Sequence, residues 1–261
     1  MSPFRTLSLL MLLSLGMAAG AQTLGEIRHS QTLKVCIWPD YFGISLRNQR
    51  TGTLQGLDID MSRALAQDLA VRLEYVETDF SRVIDDLESR KCQVAMMAMG
   101  VTLERMSRVS FSLPYLRSDV YAITTQANSS IRTWDDIDKP GRVVVVLKGT
   151  LMEPLMQSKL QQATLRVVTR PQEREREVES GRADVFITDY PYSKHMLMNT
   201  DWARMIAPER EVHITEYAYA VARGDAQWLR RVNQFVTQVK RDGRLLQAGR
   251  RHGLLPIVVR E

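Results

Sequence analysis

Val94-Ala95-Met96-Met97-Ala98-Met99-Gly100-Val101-Thr102-Leu103-Glu104-Arg105 is the stretch that decides the architecture. The unbroken apolar run from Val94 to Met99 lacks the alternation of a strand with one wet face and is short for a helix. It reads as a strand buried on both faces. Gly100 ends it, and Thr102 is the residue type that caps a helix. Upstream, Leu33–Ile37 is another buried strand ending at Pro39, Tyr41 to Ser45 reads as a loop, and Thr51 to Gly56 as a hairpin-like turn. Asp58 to Leu69 carries Ile59, Leu65 and Leu69 at helical spacing, Val71 to Val76 is a strand, and Phe80 to Arg90 is a helix with Val83, Ile84 and Leu87 inward. The order is βαβαβ, which predicts a parallel sheet covered on both faces.

Downstream the pattern recurs. Trp134-Asp135-Asp136-Ile137 is a helical turn, and Arg142 to Leu147 is a strand. Lys148-Gly149-Thr150 turns into a helix from Leu151, and Leu165 to Val168 is a strand. Gln172 to Ser180 is a helix of alternating Glu and Arg, read as solvated, and Asp184 to Thr188 is a strand leading into Asp189. Tyr217 to Ala222 is a last strand. Gln227 to Lys240 is an amphipathic helix with Leu229, Val232, Phe235, Val236 and Val239 on its inner side. The class is α/β, in two lobes that share a cleft, each a mainly parallel sheet flanked by helices. Residues 1–21 stand apart, 22–117 plus 217–261 form one lobe, and 118–216 form the other.

The chain has 261 residues, 44% hydrophobic and 25% charged, which excludes long disorder and disulfide-dense miniproteins. A net charge of +5 is too small to imply nucleic acid. From Arg223 onward there are nine Lys or Arg against three Asp or Glu, either a solvated surface or a docking face. Arg5, the apolar Leu7 to Met17 and the small residues Ala19-Gly20-Ala21 form an export signal cleaved before Gln22. The expected location is the periplasm. Cys36 and Cys92 would meet an oxidising compartment, so a bridge is open to them. Each lies in or beside an apolar strand, however, where a buried free thiol is common, and free thiols are the favoured reading. The four His are scattered and neither Cys has ligand spacing, so no metal and no cofactor are expected.

In such sheets ligands lie beyond the carboxyl ends of strands. Those ends carry Trp38 to Phe42, Phe80, Met97 to Arg105, Lys148 to Leu151 and Thr188 to Tyr192. Arg105, one turn inside a capped helix, suits a carboxylate. Asp189 suits an ammonium group, and Tyr41 and Phe80 suit aliphatic carbon. Together they describe an α-amino acid.

At these residues the chain resembles the type II periplasmic solute-binding proteins of polar amino-acid ABC importers, from about Leu33 to Gly253. An ordered series carries the resemblance: Pro39-Asp40-Tyr41, Gly56-Leu57-Asp58-Ile59-Asp60, Thr78-Asp79-Phe80, Thr102-Leu103-Glu104-Arg105, Phe111-Ser112-Leu113-Pro114-Tyr115, Gly149-Thr150, Gly181-Arg182-Ala183-Asp184 and Thr188-Asp189. It implies a monomer that closes over an amino acid by a hinge at two crossing strands and delivers it to membrane subunits of an ABC importer. By the same resemblance Arg105 holds the carboxylate, Asp189 the amine, and Tyr41 and Phe80 stack on the ligand. Backbone groups at Ala98 and Gly100 make further contacts, and Thr150 and Leu151 close from the second lobe. The family usually carries Ser or Thr where this chain has Gly100. Trp38 and Met97 make the side-chain pocket more apolar than a lysine or arginine site, so a non-cationic side chain is expected. Periplasmic cyclohexadienyl dehydratases share the fold and resemble the chain around Glu104-Arg105 and Asp136-Ile137-Asp138-Lys139-Pro140-Gly141. Their acidic Glu, three residues after Thr-Asp, is Tyr192 here, so no enzymatic activity is expected. The remaining alternative is a sensor that signals to a separate membrane protein.

Overall fold

The computed structural model describes residues 22–170 and 172–260, and the export-signal reading of residues 1–21 lies outside them. The chain begins with α1 (Gln22–Ser30) and β1 (Thr32–Ile37). It then forms three short strands, β2 (Asp40–Tyr41), β3 (Ser45–Arg47) and β4 (Leu54–Gln55). Next come α2 (Leu57–Asp68), β5 (Arg72–Glu77), α3 (Val83–Glu88), β6 (Val94–Gly100), α4 (Leu103–Arg108), β7 (Val109–Phe111) and β8 (Leu116–Ser118). The second unit holds β9 (Val120–Thr125), β10 (Val143–Leu147), α5 (Met152–Lys159), β11 (Thr164–Val168), α6 (Glu173–Glu179), β12 (Val185–Asp189), α7 (Tyr190–Asn199) and β13 (Ala203–Ile206). The chain finishes with β14 (Thr215–Ala222), α8 (Ala226–Arg241) and α9 (Arg244–Arg251).

The strands build two main sheets on one plan. In the first the order is β5-β1-β6-β14-β7, with β8 also on β14. In the second it is β11-β10-β12-β9-β13. Each has three parallel neighbours, β5-β1-β6 and β11-β10-β12, and then antiparallel strands. The parallel strands are the apolar runs. Every residue of β6 is buried, as are Val144, Val145 and Val146 in β10. Helices on both faces leave these strands no wet side. The segment read as a loop from Tyr41 to Ser45 is the turn between β2 and β3, and its two end residues belong to a small antiparallel sheet, β2-β3-β4. Its strands are only two or three residues long, too short to show a periodic pattern.

Gly56 joins that sheet to α2. Its φ is +136°, and a Cβ there would stand 2.3 Å from the Ile44 carbonyl oxygen, so no other residue fits. In α8 the buried side is Trp228, Val232, Phe235, Val236 and Val239. Leu229, read as inward, is half-buried and packs against the core, beside the fully buried Trp228, whose indole donates to the Gln93 carbonyl at 2.7 Å.

The thiols are bonded. Cys36 in β1 and Cys92, just before β6, form a disulfide with Cα atoms 5.6 Å apart, which corrects the reading that favoured free cysteines. The pairing β1–β6 brings Val35 opposite Val94 and Cys36 opposite Ala95, and so carries the two cysteines to bonding distance. The chain crosses between the sheets at Asp119, between β8 and β9, and again between β13 and β14. Asp119 ties the crossings together, accepting from the Val212 and His213 N–H groups at 3.0 and 2.9 Å.

Candidate functional site

The carboxyl ends of β1, β6, β10 and β12 converge on one cavity between the two sheets. Its wall is Trp38, Tyr41, Phe80, Ala98, Gly100, Arg105, Thr150, Leu151, Met152, Arg174, Thr188, Asp189, Tyr192 and Tyr217. The structure therefore brings together nine of the ten residues singled out from sequence. The exception is Met97, which is fully buried in the sheet core and does not border the cavity. Side chains alternate across a strand. Ala98 and Gly100 share the cavity face and leave Met97 on the other.

Arg105 is held from its own strand outward. The Thr102 hydroxyl accepts from its N–H at 3.1 Å and starts α4. Its guanidinium is buried and donates from Nη1 to the Gly100 carbonyl at 2.9 Å and from Nη2 to the Gly149 carbonyl at 3.0 Å. The second bond spans the two sheets. Gly149 can come so close because its φ is +76° and it has no Cβ to meet Ser81. Burial lowers the Arg105 pKa, but a guanidinium stays charged, and two carbonyls leave three of its five donors for another acceptor.

Asp189 caps α7. One carboxylate oxygen accepts from the Tyr192 N–H at 3.0 Å, and the other accepts from the Tyr41 hydroxyl across the cavity. Burial raises its pKa against those two hydrogen bonds. Tyr41, Trp38 and Phe80 form a tilted aromatic cluster with ring centres 5.4 to 5.8 Å apart. The cavity volume is about 30 Å³, enough for about two waters. An amino acid is several times larger, so it enters only if the sheets part at the Arg105–Gly149 and Tyr41–Asp189 ties.

Ala98 has a positive φ of 45°, unusual for a residue with a Cβ. It lies where the β6–β14 register shifts, between Ala218 opposite Met99 and Ala220 opposite Ala95. Asp58, fully buried in α2, holds the bulge by accepting from the Ala98 N–H at 2.8 Å. The same carboxylate accepts from the Tyr115 and Tyr219 hydroxyls at 2.6 and 3.3 Å. Desolvation raises its pKa to about 7, against the pull of those bonds.

Five wall residues lie outside those ten: Met152, Arg174, Thr188, Tyr192 and Tyr217. Thr188 and Tyr192 belong to the strand-end segment 188–192 that the sequence singled out, and the other three do not. Arg174 contradicts the reading of α6 as a solvated helix. It and Glu175 are buried and pair at 2.9 Å. The Arg174 guanidinium lies 3.9 Å from the centre of the Tyr192 ring. Burial opposes its charge, but Glu175 and Tyr192 outweigh that and raise its pKa. Desolvation pushes the Tyr192 phenol up to about 12.

The chain is similar to known proteins along most of its length. The chain is 28% identical over 242 residues to a cyclohexadienyl dehydratase of Pseudomonas aeruginosa, covering 92% of this chain and 89% of that protein. It is 24% identical over 223 residues to the L-cystine-binding protein TcyJ of Escherichia coli K12, covering 85% and 82%. Among solved structures, the ancestral amino acid-binding protein AncCDT-1, a precursor of cyclohexadienyl dehydratase, matches with a TM-score of 0.81 and 30% identity over 88% of this chain and 99% of that one. Residues 33–253 match the family as a whole, so the chain belongs to the bacterial extracellular solute-binding proteins, family 3.

Proposed function

We propose that this protein captures an α-amino acid with a non-cationic side chain in the cavity between its sheets and delivers it, as a periplasmic monomer, to the membrane subunits of an ABC importer. The observation that carries the reading is the convergence of Arg105 and Asp189, from opposite sheets, on one aromatic-walled cavity. A guanidinium with spare donors suits the ligand's carboxylate, and a buried carboxylate suits its ammonium. The ammonium would take the place of the Tyr41 hydroxyl on Asp189, which couples binding to the parting and closing of the sheets. The side-chain specificity follows from charge. Among the described residues Asp189 is the sole carboxylate in the cavity wall, and Arg174 is a second buried cation there. A lysine or arginine head would be desolvated beside a like charge and without an ion pair of its own.

Calorimetry with the twenty L-amino acids tests this. A neutral amino acid should bind, and Arg105→Ala should weaken it by roughly thirtyfold to several thousandfold, the 2–5 kcal/mol typical of truncating one partner of a desolvated charge pair. Arg105→Lys should recover only part, lacking the planar fork. Absence of binding across the panel would remove the main support. Preference for lysine, arginine or ornithine over every neutral amino acid would overturn the specificity.

The dehydratase relative motivates a second reading, an enzyme that expels a hydroxyl group and so needs a proton donor. Tyr192 stands at the position of the acidic Glu, and a phenol at about 12 is a weak donor near neutral pH. Asp189, the one carboxyl in the wall, already accepts from Tyr41 and Tyr192. Release of phenylpyruvate from prephenate, or of phenylalanine from arogenate, above the buffer rate would favour the enzyme.

A further inference from the structure

Tyr217 is a residue of the cavity wall that the reading above leaves without a task. It lies on β14, directly across from Gly100 in the sheet register, and Gly100 supplies the carbonyl that anchors Arg105. Its side chain is buried, 4% exposed, yet its hydroxyl has no hydrogen-bond partner among the described residues. A buried hydroxyl without a partner is destabilising, and native proteins seldom retain one without a use. A phenylalanine would fill the same space with no such cost. We propose that Tyr217 is a ligand-contacting residue whose hydroxyl donates a hydrogen bond to the carboxylate of the bound α-amino acid, beside Arg105.

The choice of the carboxylate follows from what surrounds the phenol. Ser118 lies beside the phenol, but its hydroxyl donates to the Asp119 carbonyl at 2.8 Å. Asp189, Tyr121 and Arg105 lie within electrostatic reach, and burial, followed by Asp189, holds the Tyr217 pKa far above the ordinary tyrosine value. The group therefore stays protonated as a donor. The ammonium end already has an acceptor in Asp189. The carboxylate end has the Arg105 guanidinium, while Gly100, which faces Tyr217 across the strands, contributes no side chain. A carboxylate can accept several hydrogen bonds, and the Tyr217 hydroxyl is an unmatched donor in the wall beside the spare donors of Arg105.

This inference rests on the amino-acid reading, and the test separates the two. The probe is whichever of the twenty L-amino acids binds the wild-type protein most tightly, measured by calorimetry, with the melting temperature of each variant recorded without it. Tyr217→Phe should weaken the affinity roughly tenfold to hundredfold, the range for one hydrogen bond to a charged group. Its melting temperature without amino acid should be unchanged or higher. Thr215→Val is the control. Thr215 Oγ1 is also buried and unpartnered but lies outside the cavity wall, so affinity should be unchanged. An affinity for Tyr217→Phe within twofold of wild type overturns the proposal and leaves the amino-acid reading standing. So does an equal loss in Thr215→Val, which would mark a general disturbance of β14, or a loss that accompanies a lowered melting temperature. If no L-amino acid binds the wild-type protein, the amino-acid reading falls and this inference falls with it.

Discussion

Burial of Asp58 behind the cavity wall makes one carboxyl group a reporter of the fold. In the folded protein it holds its proton to about 7, against about 4 for an ordinary aspartate. Between those values the folded state binds more protons than the unfolded chain, so stability falls as pH rises from about 4 to 7 and levels off outside that window. A shift of this size corresponds to on the order of 4 kcal/mol. Carboxylates with lowered pKa values, such as Asp60 and Asp86, work the other way, and their contribution is lost as pH falls below about 4. Asp58→Asn should therefore show a much smaller fall in urea midpoint between pH 4.5 and 7.5 than wild type. Parallel losses in the two proteins would place the titration elsewhere. The sequence showed an Asp in the first turn of a helix, the commonplace position for one. Its three hydrogen-bond donors come from β6, β8's approach at Tyr115, and β14, which local pattern does not connect.

The junction of β4 with α2 depends on Gly56. Alanine there would put a methyl group 2.3 Å from the Ile44 carbonyl oxygen and 2.8 Å from the Ser45 nitrogen, at a φ of +136°. Backbone has to move, and it is the backbone that joins Tyr41's small sheet to Asp58's helix. Gly56→Ala should cost roughly 2–4 kcal/mol, seen as a melting temperature lower by roughly 5–15 °C. A change of less than a degree would mean that the junction relaxes freely. Most elements were legible because a strand or helix with a buried face repeats its apolar residues at a fixed period. The small β2-β3-β4 sheet was not, since its strands are shorter than the two or three repeats a pattern needs. Helix α6 was misread for a related reason. Its Arg and Glu alternate as on a wet surface, and burial of Arg174 depends on the Tyr192 and Phe186 rings beneath it.

The two parallel-sheet units are joined by two crossings, and the first carries a covalent staple, Cys36–Cys92, closing a separation of 56 residues. Chain-entropy reasoning assigns a loop of that length about 4 kcal/mol, with typical measured values of 2–4 kcal/mol. Denatured protein should show no thiols toward a colorimetric thiol reagent until reduced, and two afterwards. The double substitution Cys36→Ala and Cys92→Ala should lower the urea midpoint accordingly. Two reactive thiols in the unreduced denatured protein would refute the bond. Because β1 and β6 both end at the cavity, under the proposed function the reduced protein should also bind an amino acid more weakly.

The order of strands and helices, and the placing of Arg105, Asp189, Tyr41 and Phe80 at strand ends, were determined by local chemistry: apolar period, capping residues, and glycine at the turns. These are properties of neighbours along the chain, so they can be read along the chain. The bonding of Cys36 to Cys92, the burial of Arg174, the tie from Tyr41 to Asp189 and the unpartnered hydroxyl of Tyr217 were decided by which strands pair and in what register. The Tyr41–Asp189 tie and the placing of Tyr217 opposite Gly100 join residues more than one hundred positions apart, the disulfide follows from the β1–β6 pairing, and the burial of Arg174 depends on rings carried by β12 and α7. Met97 shows the same division within one strand. Its apolar character was evident, but the face it takes was settled when β6 was seated between β1 and β14 with Ala98 and Gly100 turned to the cavity.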